Sequence, residues 1–578
     1  MIDLVIRNGK VIDGTGKPAR PADIGVLNGK IIEPGWDEEL TARVEIDAGG
    51  QTVVPGFIDV HSHGDLAISM DNPGQVLKPL LMQGITTFVG GNCGFSGCTV
   101  PNINRDKVIA HLQNLSGQEL ENRIPWYNPD EFFQEAERRG LPCNMATLAG
   151  HGTLRIASSG LVTRLLNTDE QRAMEKLLDE CMEMGCLGLS TGLQYYPGSQ
   201  SDTNELVALG GVLKKYNGIF TSHLRSYAHT LDLALEEVFR VGRENGIPVQ
   251  VSHLYWQPYI RGLANMTRLF LSGVSFLYNK LGIPVPMEKG LKAKLKLIED
   301  ECEKGTDVHF DMVPTSQGFT ELFAFLPPYA SEGSAAIALE RLKDPAFRKR
   351  MLHDIEKVEP DWPHRDGATW SFNYIKMTGW KGLRVMAVES EKNRWMEGLT
   401  FPDIGNELDK HSIDVICDLL IEEKGRVMVF HTPTFPDDPL VFRSMWEGFT
   451  HPLSVPVTDT ILRPFGRPSH VFYDCFPRFL AFFAGERSMM SMEEAVYKCT
   501  GLPASIMGLN NRGQIREGYY ADLVVLDEKS LGTDAGFDNP RVHPRGIAHV
   551  LVNGVPVVES GDFVDGALPG MALRRGVG

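Results

Sequence analysis

The chain has 578 residues, 42% hydrophobic and 23% charged, which is enough for a sizeable core and more than one ordinary domain. A net charge of −17 excludes nucleic acid as a partner class, because nothing offsets phosphate repulsion. No apolar run reaches the roughly 18–20 residues of a membrane span, and the first residues lack the features of a signal peptide. The nine cysteines are odd in number and scattered, which fits reduced thiols and a cytoplasmic protein.

The chain opens on strand–glycine–strand patterns at 3–16 and 24–32, with Asn-Gly expected at the turns. The same style returns at 521–527 and 549–561. Two such regions predict one small β-sandwich domain built from both termini, residues 1–57 and 509–578. Between them, residues 58–508 alternate short apolar strands with helical stretches, as βα units do. Eight strands are expected, at 56–62, 84–91, 144–150, 185–192, 218–223, 248–253, 307–314 and 453–459. This predicts an α/β fold, a TIM (β/α)8 barrel carrying the sandwich domain. Helices are expected at 168–185 and 229–246, the first with Met174, Leu177, Leu178 and Cys181 at helical spacing. Two long excursions, near 258–290 and 330–414, interrupt the rhythm. Loops of that length are usually functional or structured. They are expected to cover the barrel mouth or to meet a second subunit in a homo-oligomer.

Polar residues recur where the strands end. His61 and His63 stand two apart, so both rings can reach one ion from a strand end. His223 and His253 follow the matching contexts TSHL and VSHL, which a shared metal explains. Cys93, in GGNCG, reads from its own segment first as a buried structural thiol, with a soft metal ligand and a nucleophile as the other readings. Asp459 closes the eighth strand, where a carboxylate can take a proton from water and pass it to a leaving nitrogen. His151 and Tyr195 are expected at the mouth, as donors to substrate or as supports of other groups.

These segments, with GLQYYPG at 192–198 and RGQIREGYYADLVVLD at 512–527, resemble the amidohydrolase superfamily, and within it the D-aminoacylase (N-acyl-D-amino-acid deacylase) group. The GNCG motif is the specific part. The resemblance implies a zinc-dependent hydrolase of a linear amide, acting on C–N bonds other than peptide bonds. It implies that Cys93, His223 and His253 hold zinc tightly, that His61 and His63 form a second, weaker position, and that Asp459 is the general base and acid. Tyr195 falls where the family has a tyrosine near the substrate. The sequence departs from the family at Tyr255, where the family usually has lysine, and at Val471, where it tends to have arginine. Arg225 and Arg467 are the cations left nearby. The substrate is therefore expected to be a small-molecule amide whose amine half carries no charge, with Tyr195, His151, Tyr255 and Arg225 around it. A hydrolase of cyclic or non-amino-acid amides, and a silent binding barrel, are the alternatives.

Overall fold

Runs of β-branched residues from the two ends of the chain meet in one sheet. The computed structural model describes residues 1–32, 41–363 and 370–576. Residues 33–40, 364–369 and 577–578, which fall in the expected terminal domain and the second excursion, lie outside the described residues. The sheet has nine strands, from Ile2–Val11 to Asp562–Phe563, and joins its two halves where Thr52–Pro55 pairs antiparallel with Leu523–Leu526. Successive side chains on a strand point to opposite faces. Val53, Leu523, Val525 and Leu551 accordingly pack with Leu4, Ile6 and Ile24 in a small core. Their neighbours Val54, Val524, Leu526 and Val550 turn the other way into the main core.

Asn28-Gly29 makes the expected turn between Arg20–Leu27 and Lys30–Ile32. Asn8-Gly9 does not. It lies inside Ile2–Val11, where the pairing register shifts, and is a bulge. Asn8 adopts φ 56°, and its N–H donates to the Asp23 carboxylate at 2.9 Å. Asparagine tolerates this conformation, so the same dipeptide serves a bulge as readily as a turn.

The middle of the chain forms parallel strands in sequence order. Phe57–Asp59 pairs with Ile85–Gly90, which pairs with Asn144–Thr147. Ala149–Gly150 then leads through Gly188–Gly192, Ile219–His223, Val249–Val251 and Val308–Met312 to Ser454–Pro456. A parallel bridge from Ser62 to Thr460 joins the last strand to the first. Asp59, fully buried, strengthens this join by accepting from the Thr458 N–H at 3.2 Å and from its hydroxyl at 2.5 Å. Helices such as Thr168–Glu183 and Leu231–Asn245 lie between strands, and the first buries Met174, Leu178 and Cys181.

The first excursion contains helix Ala264–Leu281, which buries Leu271 and Val274. Its outer face is uncovered: Leu269 is 75% exposed and Phe276 58%. Cover was expected for all its apolar residues, and the single chain provides it only on the inner side. The second excursion contributes Phe372, Tyr374 and Phe401 to a separate hydrophobic cluster, which Tyr259 of the first excursion and Val429 also join. Its strand Leu383–Ala387 and Gly318–Glu321 both pair antiparallel with Met428–His431. Among the described residues, no helix is long and apolar enough to cross a membrane.

A buried polar knot ties the terminal sheet to the parallel strands. Asp522 accepts from the Asn144 amide at 3.1 Å and from the Asn553 N–H at 2.7 Å, and it pairs with Arg512. Removing the carboxylate leaves a buried guanidinium unpaired. Asp522→Ala should lower stability by about 3–5 kcal/mol in chemical denaturation, and a loss below about 1 kcal/mol would contradict the role given to the knot.

Candidate metal centre

Five strand ends bring six polar side chains together. His61 and His63 follow Phe57–Asp59, Cys93 follows Ile85–Gly90, His223 ends Ile219–His223, His253 follows Val249–Val251, and Asp459 follows Ser454–Pro456. The donor atoms of His61, His63, Cys93 and Asp459 lie within 4.8 Å of one another, as do those of Cys93, His223 and His253. Cys93 belongs to both groups. Its Sγ is 3.2 Å from His61 Nε2, 3.5 Å from His253 Nε2 and 3.8 Å from His223 Nδ1. Asp459 Oδ1 lies 3.4 Å from His61 Nε2 and 3.3 Å from His63 Nε2.

The backbone is shaped for this meeting. Cys93, His253 and Asp459 have φ of 52°, 35° and 50°. Few non-glycine residues adopt such values, and those that do collect at functional sites. The glycines around Cys93 allow close approach. A Cβ on Gly91 would stand 2.2 Å from the Leu148 carbonyl oxygen, and one on Gly94 would stand 2.8 Å from the Gly192 nitrogen. The Gly94 N–H donates to Ser190 Oγ at 3.0 Å, and the Asn92 amide donates to the Val89 carbonyl at 2.9 Å. The loop therefore holds its sulfur in one place.

Two supporting residues were not read from the sequence. Tyr227 OH lies 2.9 Å from His253 Nδ1, which leaves Nε2 to face Cys93. Asp311 lies 3.3 Å from His61 Nδ1 and accepts from Gln250 Nε2 at 2.6 Å and from the His253 N–H at 2.5 Å. The available signal for Asp311 was a charged residue inside the strand run VHFDM. Tyr227 carried no signal beyond lying four residues after His223.

The charges suit a cation. Burial opposes ionisation of Cys93, yet His61 and the contacts from His223 and His253 hold its thiol well below the ordinary range. Burial also opposes protonation of His63, but Asp459 and Cys93 raise it to about 9. Burial and the neighbouring His253 push His223 down to about 4. A sulfur anion, imidazoles and a carboxylate in one buried space form a ligand set for zinc. The spacing fits as well. Nitrogen at about 2.0–2.1 Å and sulfur at about 2.3 Å from a tetrahedral zinc ion stand about 3.3–3.6 Å apart. The Cys93–His253 and Cys93–His223 separations of 3.5 and 3.8 Å lie near that range, while His223 and His253 are closer at 2.9 Å.

Tyr195 and Tyr255 line a cavity together with His223, His253 and Asp459. The Tyr195 ring lies 4.7 Å from that of His223. His151 and Arg225, expected around the substrate, are not among the residues lining this cavity. His151 is fully buried 2.8 Å from Glu205, which also pairs with Arg155. Arg225 donates to Glu237 at 2.8 Å, to the Ser199 carbonyl at 3.2 Å and to Ser201 Oγ at 3.0 Å. A charge this deep needs a partner inside the protein, and Glu237 supplies it.

Two substitutions test the centre by metal analysis. Cys93→Ala should lose most of about one tightly held zinc per chain, and full retention would remove Cys93 from the ligand set. Tyr227→Phe should weaken zinc binding by about 10–100-fold through the loss of its contact with His253, and unchanged affinity would make Tyr227 a packing residue only.

The chain is similar to known proteins along its whole length. The chain matches the Amidohydrolase family over residues 44–378 and 451–558. It is 28% identical to a D-aminoacylase of Alcaligenes xylosoxydans xylosoxydans over 99% of this chain and 98% of that one. It is 29% identical to an N-acyl-D-glutamate deacylase of the same organism, over 99% and 97%. Among solved structures, an N-acyl-D-glutamate deacylase from Bordetella bronchiseptica, complexed with zinc and a phosphonate mimic of the tetrahedral intermediate, superposes with a TM-score of 0.74 at 26% identity, covering 99% of each chain. A D-aminoacylase described as defining a novel subset of amidohydrolases gives a TM-score of 0.74 at 27% identity over 100% of each chain. With its strand-end histidines, buried cysteine and full-length likeness to these deacylases, the chain belongs to the Amidohydrolase family.

Proposed function

We propose that this chain is a zinc-dependent hydrolase that cleaves a linear amide of a small molecule. The observation that carries the reading is the cluster of Cys93, His61, His63, His223, His253 and Asp459 beside one cavity. In this reading residues 58–508 are a TIM (β/α)8 barrel with the centre at its C-terminal mouth, and 1–57 with 509–578 are the small β-sandwich domain. Cys93, His223 and His253 hold the tighter zinc, and His61 with His63 the weaker second position. The likeness to a deacylase solved with zinc and a tetrahedral mimic supports attack by water on an amide carbonyl. Nine free cysteines support a reducing, cytoplasmic location.

Zinc bound there supplies Lewis acidity, polarising a carbonyl and making water acidic near neutral pH. The rest is the work of side chains. Asp459, on the cavity wall and within 3.4 Å of His61 and His63, takes the proton of the attacking water. It then gives that proton to the departing amine nitrogen. Tyr195 accepts from Thr320 Oγ1 at 3.0 Å, which leaves its own proton for the developing oxyanion. Burial, followed by the charge of Cys93, raises the phenol well above its usual range, so it stays a donor. Tyr227 and Asp311 orient His253 and His61, as partners of metal-bound histidines do.

The reading is tested with zinc-loaded protein on N-acyl-D-amino acids, N-acyl-L-amino acids and neutral amides. Hydrolysis that stops on chelation and returns with zinc is expected, and no hydrolysis of any of them would sink it. Asp459→Asn should keep its zinc and lose turnover by on the order of a hundredfold or more. Near wild-type turnover in that variant would mean that another group moves the proton.

A further inference from the structure

The cavity beside the metal centre mixes aromatic and aliphatic walls with polar side chains that are mostly uncharged. Its space, counted out into open solvent, is about 1350 Å³. Tyr255 and Trp256 come from the loop after Val249–Val251, and Phe372 and Tyr374 from the second excursion. Leu271 comes from helix Ala264–Leu281. Among the described residues, no lysine or arginine lines it. Asp459 is its one carboxylate.

The nearby arginines are engaged or face elsewhere. Arg225 is fixed to Glu237. Arg467 donates to the Phe537 carbonyl at 3.0 Å and lies 3.5 Å from Asp538. Arg463 is buried beside Gly117 without a hydrogen-bond partner in the protein, and it is not among the residues lining the cavity. Among the described residues lining the cavity, His431 is the one imidazole besides His223 and His253, and burial, with help from those two, pushes it down to about 3.

What the cavity does offer is neutral. Ser316, Gln317 and Tyr374 are among its lining residues and carry uncharged polar side chains, and Ser316 Oγ and both atoms of the Gln317 amide have no hydrogen-bond partner in the protein. Buried polar atoms without partners are uncommon, and a ligand's polar atoms satisfy those that face a cavity. Beside them stand flat apolar surfaces. Tyr255 is stacked on Tyr227 with ring centroids 4.5 Å apart, and Tyr374 meets His431 edge-on at 4.6 Å. A carboxylate brought here would leave water without meeting a positive partner, which is strongly unfavourable. An aromatic group with a neutral amide or hydroxyl would be matched on every side.

We propose that this cavity selects amides whose amine half is uncharged, carries an aromatic or branched apolar group and presents neutral polar atoms to Ser316, Gln317 and Tyr374. The proposal rests on the amide-hydrolase reading and names its substrate class. It makes the cavity a discriminator against free N-acyl amino acids.

The test uses N-acetylphenylalanine in both chiral forms, the matching N-acetylphenylalaninamides, and N-acetylphenethylamine. Zinc-loaded protein is assayed for kcat/KM, and zinc-loaded Asp459→Asn is titrated with the same compounds to read binding without turnover. The neutral compounds should exceed the free acids by about tenfold or more in both measurements. Gln317→Lys, which adds a cation to the wall, should move the ratio towards the acid by about tenfold. Equal or better use of the free acid by the wild-type protein would overturn the proposal, whatever the variant does. If no compound is hydrolysed, the titration still decides: preferential binding of the neutral forms keeps the cavity's selectivity and rejects only the hydrolase reading.

Discussion

The sulfur of Cys93 sits buried among the imidazoles of His61, His223 and His253. An anion in that position, far from water, is strongly unfavourable unless positive charge is placed beside it. Much of the local structure follows from this constraint. The glycines of GGNCG let the loop pass within reach of the Leu148 and Gly192 backbones, and Ser190 and Asn92 fix its course. Tyr227 and Asp311 aim the rings of His253 and His61 inward. A cation held by these groups answers the constraint, and the same cation makes the site reactive.

The rest of the fold holds the five strand ends in place. The Ser62–Thr460 bridge and the Asp59–Thr458 contacts keep the first and last strands side by side, which brings Asp459 to His61 and His63. At the other side of the strands the terminal sheet is anchored through Asp522, Asn144 and Asn553. The excursions add what the strands lack. They supply walls to the cavity, Leu271 from the first and Phe372 and Tyr374 from the second, so chemistry and selectivity come from different parts of the chain.

Much of the centre was legible because strand ends leave a plain mark: an apolar run that stops at histidine or aspartate. His61, His63, His223, His253 and Asp459 all carried it. Cys93 did not stand out from its own segment, and its part came through the likeness of GNCG to a family. His151 and Arg225 show where such reading misleads. His151 follows a strand end and Arg225 was named only as a cation near His223, but sequence does not say which way a side chain turns, and Glu205 and Glu237 draw both into the protein interior. Asp311 was missed for the opposite reason, since it lies within a strand rather than after it. Tyr374 and His431 reach the cavity from segments without the rhythm of the parallel strands, so only the folded chain reveals them. Asn8-Gly9 was a local ambiguity, because the same dipeptide suits a turn and a bulge.

The central claim is that Cys93 gives its sulfur to a metal ion together with histidine nitrogens. X-ray absorption at the zinc edge of the zinc-loaded protein tests it most directly. The account predicts a sulfur neighbour at about 2.3 Å beside nitrogen or oxygen neighbours at about 2.0–2.1 Å. A first shell of nitrogen and oxygen alone would contradict it, and would leave Cys93 a buried thiol beside a centre built by other residues.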